Sequence, residues 1–316
     1  MDTSAADPRI RVSLEHLRDL EGAARSLSFL PSQPAASALT GRHASRLRGR
    51  GLNFEEMRNY LPGDDVRSID WKATARTGSP YVRVYTEERD RPALLVVDQS
   101  MSMFFGSMLN MKSVTAAEAA AVAAFRVLRV GDRVGGIVFN DTEQKEFAPR
   151  RSRRTLYALL ESLSRMNSTL DADNAVERQP GRLNDILKSV SRLASHDHLV
   201  IVFSDFDGID ETTHRYLSNI AVHNDLVLML VHDPVAERMA SGERVVIGDG
   251  RLQAEVDLAS PETVEALSGF TRQRLERIRD WQREINLSVL PLSAGQETLP
   301  QIRRLMGQLA PRRRVR

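Results

Sequence analysis

From residue 93 onward, short and continuously apolar runs alternate with amphipathic stretches of 10–20 residues. The runs at 93–97, 133–139, 198–203, 225–231 and 287–290 lack the in-out alternation of a half-exposed strand, so each predicts a strand covered on both faces. Helical periodicity predicts helices over 113–130, 154–165, 183–193, 211–222, 261–284 and 298–309, the first alanine-rich and stopped by Gly131-Asp132. Segments 244–247 and 252–256 flank Gly248-Asp249-Gly250, whose Asp-Gly step predicts a hairpin. Strands that alternate with helices imply β-α units, hence an α/β fold with a doubly wound, mostly parallel sheet. Ligands of such sheets bind beyond the carboxyl ends of the strands. No internal repeat of 20–50 residues is visible.

The first 92 residues follow a different pattern. Leu14, Leu17, Ala24 and Leu27 place an amphipathic helix in 10–28, ended by Pro31 and Pro34. Residues 42–50, RHASRLRGR, are basic and read as a loop or the start of a strand. In 51–92, Pro62-Gly63-Asp64-Asp65 predicts a turn and Tyr81-Val82-Arg83-Val84-Tyr85 a strand. Charges of both signs are dense there, with Phe54, Tyr60, Ile69 and Trp71 between them, which suits a structured polar surface and not a linker. The expected division is an N-terminal helix and linker (1–40), a β-rich charged segment packed on the main domain (41–92), the α/β domain (93–310) and a basic tail (311–316).

Composition narrows the partners. The chain has 316 residues, 41% of them hydrophobic, enough for one main domain and a smaller attachment. Lysine occurs only at 72, 112, 145 and 188, so positive charge is mostly arginine, which favours carboxylate and phosphate partners. A net charge of +2 means the arginines are mixed with acids, so general nucleic-acid binding is the weaker alternative. The absence of cysteine excludes disulfides, thiolate metal sites and cysteine nucleophiles. No signal peptide and no apolar stretch of about 20 residues is present, which makes the cytoplasm the expected compartment, with no membrane span.

The chemistry gathers after the first core strand. Asp98, Ser100 and Ser102 follow one another at i, i+2 and i+4 on a loop leaving a parallel strand, and Asp205 stands in the equivalent place after the strand at 198–203. If those strands are neighbours, both aspartates face one crevice. Hard oxygen donors with one or two carboxylates suit Mg2+, with Ca2+ or Mn2+ as alternatives, and not zinc. The other reading is that Asp98 and the serines cap the following helix.

The run VVDQSMSM, with VIVFSDFDG at the later strand, resembles the metal-ion-dependent adhesion site of von Willebrand factor A domains. That resemblance implies metal contacts from Ser100 and Ser102, with Asp98 and Asp205 close by, and an open position that a partner's carboxylate fills. It also implies a threonine from a loop where this chain reads Pro180-Gly181-Arg182-Leu183-Asn184-Asp185; only the Asn184 carbonyl, or the more distant Thr169, is on hand. Gly51-Leu52-Asn53-Phe54-Glu55-Glu56, Arg58-Asn59-Tyr60, Pro62-Gly63-Asp64-Asp65-Val66-Arg67, Ile69-Asp70-Trp71, Ala75-Arg76-Thr77-Gly78 and Glu87-Glu88-Arg89-Asp90 resemble the signature of the bacterial family called domain of unknown function 58. Its members are often encoded beside MoxR-class AAA+ ATPases, and many carry an N-terminal membrane anchor that this chain does not show. The resemblance implies a non-catalytic partner of such an ATPase, or of its client, in the assembly or maturation of other proteins. Within the signature, Asp64, Asp65, Asp70, Arg67, Arg76 and Arg89 are expected to form a charge network, anchored by Trp71 and Tyr60.

Enzymatic readings find little support. There is no Gly-x-x-x-x-Gly-Lys-Ser/Thr loop, no dinucleotide fingerprint and no Gly-x-Ser-x-Gly elbow. The histidines lack zinc spacing. A metal-dependent phosphoesterase remains the enzymatic alternative, with Asp207 and Asp210 as its extra carboxylates.

Overall fold

The structure is a computed structural model and describes residues 7–25, 52–62, 64–87, 92–172, 179, 181–234, 244–248, 253–257, 261–285 and 287–309. The chain divides into two compact units, one formed by Met1–Pro31 with Arg91–Arg316 and the other by Ser32–Asp90. Helix α1 (Leu14–Ala24) thus belongs to the larger unit. The basic stretch at 42–50, the prolines 31 and 34, Arg89 and the tail at 311–316 lie outside the described residues.

In the smaller unit, β1 (Leu52–Asn59) and β2 (Tyr81–Glu87) pair antiparallel, with a bulge between Phe54 and Glu56. Between them runs α2 (Trp71–Thr77), where Asp70 accepts the backbone N–H groups of Lys72 and Ala73 and Gly78 closes the helix at φ 75°. Asp65 caps the short 3-10 turn Val66–Ser68. Asp64 takes a two-pronged bond from Arg58, at 2.7 and 2.8 Å, and also accepts the N–H of Leu61. Acids of the signature therefore close turns and cap helices. Trp71, expected as an apolar anchor, is 68% exposed at the first position of α2, while Ala73 and Val82 are buried.

The larger unit is a mixed α/β fold around a six-stranded, mostly parallel sheet. Its strands are β3 (Ala93–Asp98), β4 (Val134–Phe139), β5 (Gln144–Arg150), β6 (Leu199–Ser204), β7 (Asp225–His232) and β10 (Leu287–Ser293), in the order β10-β7-β6-β3-β4-β5. A separate antiparallel pair, β8 (Arg244–Gly248) and β9 (Gln253–Asp257), is the expected hairpin; residues 249–252 between them are not described. All residues of β3, β4 and β6 are buried, as apolar runs without alternation require. Within the six-stranded sheet only β5 runs antiparallel, and the apolar pattern does not predict it. Its sequence QKEFAPR is mostly exposed and carries no apolar run, as suits an edge strand with a wet face.

Alternate side chains of β3 enter two cores. Leu95 and Val97 pack with α1, α3 (Lys112–Arg129), α4 (Arg153–Ser168) and α8 (Thr298–Leu309). Leu94 and Val96 pack on the other face with α5 (Arg182–Leu193), α6 (Glu211–His223) and α7 (Pro261–Glu284). The alanines of α3 allow close approach to the sheet, and all seven of them are buried. Approach is also close at Gly136, where an added Cβ would lie 2.4 Å from the Leu95 carbonyl oxygen.

The N-terminal arm is fastened to this unit through polar groups as well as through Leu17, Leu20 and Ala24. The Val12 N–H donates to Asn167 Oδ1 at 2.7 Å, and the Asn167 amide donates to Gln99 Oε1 at 2.9 Å. Gln99, fully buried, donates in turn to the carbonyls of Asp98 and Ser113. A chain of amides thus runs from the arm to the loop after β3. Asn167→Leu keeps the volume but strips partners from Val12 and Gln99, so it should lower unfolding stability by about 2–4 kcal/mol, two buried polar groups being left unpaired. Urea denaturation measures this, and a loss under about 0.5 kcal/mol would mean the amide chain contributes nothing.

Candidate functional site

Strands β3 and β6 are parallel neighbours, with Val97 opposite Phe203. The helices that follow them, α3 and α6, pack on opposite faces of the sheet. The chain therefore parts in two directions at the carboxyl ends of this strand pair and leaves a crevice, the place where open α/β sheets bind ligands. Asp98 ends β3, Ser204 ends β6 and Asp205 follows.

The four predicted residues meet there. Asp98 Oδ1 accepts from the Ser100 N–H at 2.9 Å and from Ser100 Oγ at 2.6 Å. Ser100 Oγ and Ser102 Oγ are 3.1 Å apart, and Ser102 Oγ donates to Asp205 Oδ1 at 3.2 Å. Ser204 Oγ closes the ring on the inner side, donating to Asp98 Oδ2 at 2.6 Å while it accepts the Phe206 N–H. Both carboxylates are nearly out of water, at 4% exposure for Asp98 and 3% for Asp205.

Their electrostatics diverge. Burial, and next the charge of Asp205, push the Asp98 carboxyl up to about 6, against the pull of hydrogen bonds from Ser100 and Ser204. Burial also opposes charge on Asp205, but the Lys112 and Arg274 cations and the bonds from Lys112 and Ser102 hold it below the usual carboxylate range. Lys112 Nζ donates to Asp205 Oδ2 at 2.7 Å. Arg274, on α7, donates to the Asp205 carbonyl at 2.9 Å and pairs with Asp207.

The other candidates serve different ends. The Asn184 side chain is bonded to Asp210 and Thr213 at the start of α6, and Thr169 Oγ1 donates to the Met166 carbonyl. Neither supplies the threonine donor that the adhesion-site resemblance implies. Asp207 pairs with Arg274 and Asp210 caps α6, so both extra carboxylates of the phosphoesterase alternative have structural work. Asp98 does not cap α3, which begins only at Lys112 with Met111 as its cap, but it does satisfy the Ser100 N–H just before the short 3-10 turn Met101–Met103. His232 ends β7 beside a small pocket that Lys112, Asp205 and Arg274 also line.

Sequence reading missed Lys112, Arg274, Ser204 and Asp141. Asp141, in the loop after β4, accepts the Met101 N–H at 2.6 Å and so braces the serine loop from the third strand end. Its signal was available, since β4 is a parallel strand and Asp141 leaves its carboxyl end as Asp98 and Asp205 leave theirs. Lys112 and Arg274 had no local signal, because each lies at least 10 residues from the motif it serves.

The donor set can be compared with what a hard cation needs. Mg2+ takes oxygens at 2.0–2.1 Å in an octahedron, whose neighbouring ligands are about 3.0 Å apart. The separations of 3.1 and 3.2 Å along Ser100, Ser102 and Asp205 match such edges, the second being bridged by the Ser102 hydroxyl hydrogen in the ion-free arrangement. Among the described residues no three His, Asp or Glu side chains gather into a metal-holding group, so hydroxyls make up half of this set. Two carboxylates and two hydroxyls fit a small hard cation in kind and spacing. Asp98, Ser100, Ser102 and Asp205 would hold it, and it would supply a charge with open positions for an outside oxygen.

Fold and site together describe an α/β protein with a buried carboxylate-hydroxyl crevice at the parting of a parallel sheet. Comparison with known families adds a match of residues 56–274 to the family described as Protein of unknown function DUF58, and the chain belongs to that family. The matched span covers Asp98 through Arg274, hence every site residue named above. Two similar proteins are Uncharacterized protein Rv1480 of Mycobacterium tuberculosis (strain ATCC 25618 / H37Rv) and Uncharacterized protein Mb1516 of Mycobacterium bovis (strain ATCC BAA-935 / AF2122/97). Each is 30% identical over 230 residues, which cover 73% of this chain and 70% of the relative. Among the described residues no helix is long and apolar enough to cross a membrane.

The raised Asp98 carboxyl has a consequence for the metal-free protein. Between its ordinary value of 3.8 and about 6, the folded chain keeps a proton that the unfolded chain has released. The contribution of this group to stability therefore falls as pH rises from about 4 to about 6 and stays low above that. Asp98→Asn should be more stable than wild type at pH 7.5 in EDTA, on the order of 2–3 kcal/mol, with the gain fading towards pH 4. Urea titrations at the two pH values test this, and a variant no more stable than wild type at pH 7.5 would refute it.

Proposed function

We propose that this protein is a non-enzymatic interaction module whose larger unit is a von Willebrand factor A-like domain. It uses Asp98, Ser100, Ser102 and Asp205 as a metal-ion-dependent adhesion-type site that holds Mg2+ and offers it to an acidic residue of a protein partner. The observation that carries this reading is the convergence of two carboxylates and two hydroxyls, from separate strands, at the carboxyl ends of β3 and β6. An ion bound there would face outward opposite the buried aspartates, and a partner carboxylate is the ligand that best completes a hard-cation shell. The structural duties of Asp207 and Asp210 leave few carboxylates for hydrolytic chemistry, which favours binding over phosphoester cleavage.

The proposed partner is a MoxR-class AAA+ ATPase or its client, on the strength of the resemblance in 51–90 and of membership in the family. In this reading the protein acts in ATPase-driven assembly or maturation of other proteins. Recovery of a candidate ATPase on immobilised protein should fall at least tenfold when Mg2+ is replaced by EDTA, and likewise for Asp98→Ala in Mg2+. Equal recovery in all conditions would reject a metal bridge.

A further inference from the structure

The place of Lys112 in the crevice is at odds with its place in the helix. It is the first residue of α3, where the helix dipole disfavours positive charge. Its side chain is only 12% exposed, so the ammonium has also given up most of its water. Both costs are met by one contact, the 2.7 Å ion pair with Asp205 Oδ2. That contact involves a carboxylate of the proposed cation site.

We infer that Lys112 is a built-in competitor for the cation, an ammonium that occupies the positive position beside Asp205 until a divalent ion displaces it. The inference rests on the metal-site reading above and adds to it a determinant of affinity. Three observations support the displacement. Lys112 meets Asp205 as a point charge on a flexible stem, so it can leave without dismantling a planar fork. Arg274, by contrast, stands 3.8 Å from the same oxygen but is fastened to the Asp205 carbonyl and to Asp207, so it remains when Lys112 leaves. A pocket of about 90 Å3 adjoins both residues, lined in part by Phe105, Leu230 and Leu275, and offers room for the aliphatic stem. A divalent ion on Asp205 and an ammonium within hydrogen-bond reach of the same carboxylate repel one another, so occupancy by one weakens the other.

Calorimetric titration of the full chain with MnCl2, and separately with MgCl2, tests the inference after removal of metal with EDTA. Wild type, Lys112→Met and Lys112→Arg are compared, and thermal melts verify folding. Lys112→Met should bind Mn2+ at least tenfold tighter than wild type, whereas Lys112→Arg, which keeps the charge, should stay within about threefold of wild type. Should Lys112→Met fail to fold, Lys112→Gln carries the same comparison, since it can still donate to Asp205 without a charge. Equal or weaker binding by the neutral variant than by wild type would overturn the role of Lys112 and leave the metal site standing. A folded neutral variant that binds neither ion would overturn both, because removing the competitor should expose the site at its strongest.

Discussion

Two carboxylates held almost without water at the ends of adjacent parallel strands set the terms for the larger unit. Asp98 and Asp205 cannot both be charged in such a place without groups that oppose the cost of burial. The fold supplies them from several elements. Ser100 and Ser204 bond to Asp98, Ser102 to Asp205, and Lys112 and Arg274 bring positive charge from the starts and middles of distant helices. None of these groups would be within reach unless β3 and β6 were neighbours and α3 and α6 went to opposite faces. The strand order β10-β7-β6-β3-β4-β5 achieves that, and the buried apolar runs of β3 and β6 make the pairing firm.

The walls of the crevice are tied to the body of the protein by directional bonds and not by packing alone. On one side Gln99 and Asn167 connect the serine loop to the N-terminal arm, and the Met111 N–H donates to the Arg9 carbonyl at 2.9 Å. On the other, Arg274 and Arg277 fasten the loop after β6 to α7, while Ile278, Trp281 and Ile285 seat that helix in the core. A crevice braced in this way is preorganised, so an entering ligand has little loop ordering to oppose it.

The central strands and most helices were legible in the sequence because burial on both faces writes itself as an uninterrupted apolar run, and burial on one face as helical periodicity. Edge strand β5 escaped because a strand with one wet face and the residues QKEFAPR presents neither signal. The site was legible as far as its donors are close in sequence or follow a recognisable strand, which covers Asp98, Ser100, Ser102 and Asp205. Lys112 and Arg274 were not, since a charged residue on a helix looks the same in sequence whether it faces solvent or a buried carboxylate. Trp71 contributes no burial to its own unit, where it lies exposed on a helix whose buried position is Ala73.

Charge accounting shows why the crevice is poised and not inert. Asp98, Asp205 and Asp207 bring three negative charges if all are ionised, and Lys112 and Arg274 bring two positive ones to the same group. Asp207 and Arg274 satisfy each other, and Lys112 balances Asp205. The remaining charge falls on Asp98, which accepts its hydrogen bonds from two hydroxyls and an N–H and not from a cation. One further positive charge brings these five groups to neutrality. A proton supplies it at mildly acidic pH, which is the meaning of a carboxyl pushed up to about 6. At neutral pH that proton is largely gone, and the crevice is left with an unopposed negative charge surrounded by hard oxygens. The same burial that makes this state costly for the folded chain makes it attractive to a cation, so the strain at Asp98 and the proposed affinity for a metal are two expressions of one electrostatic deficit.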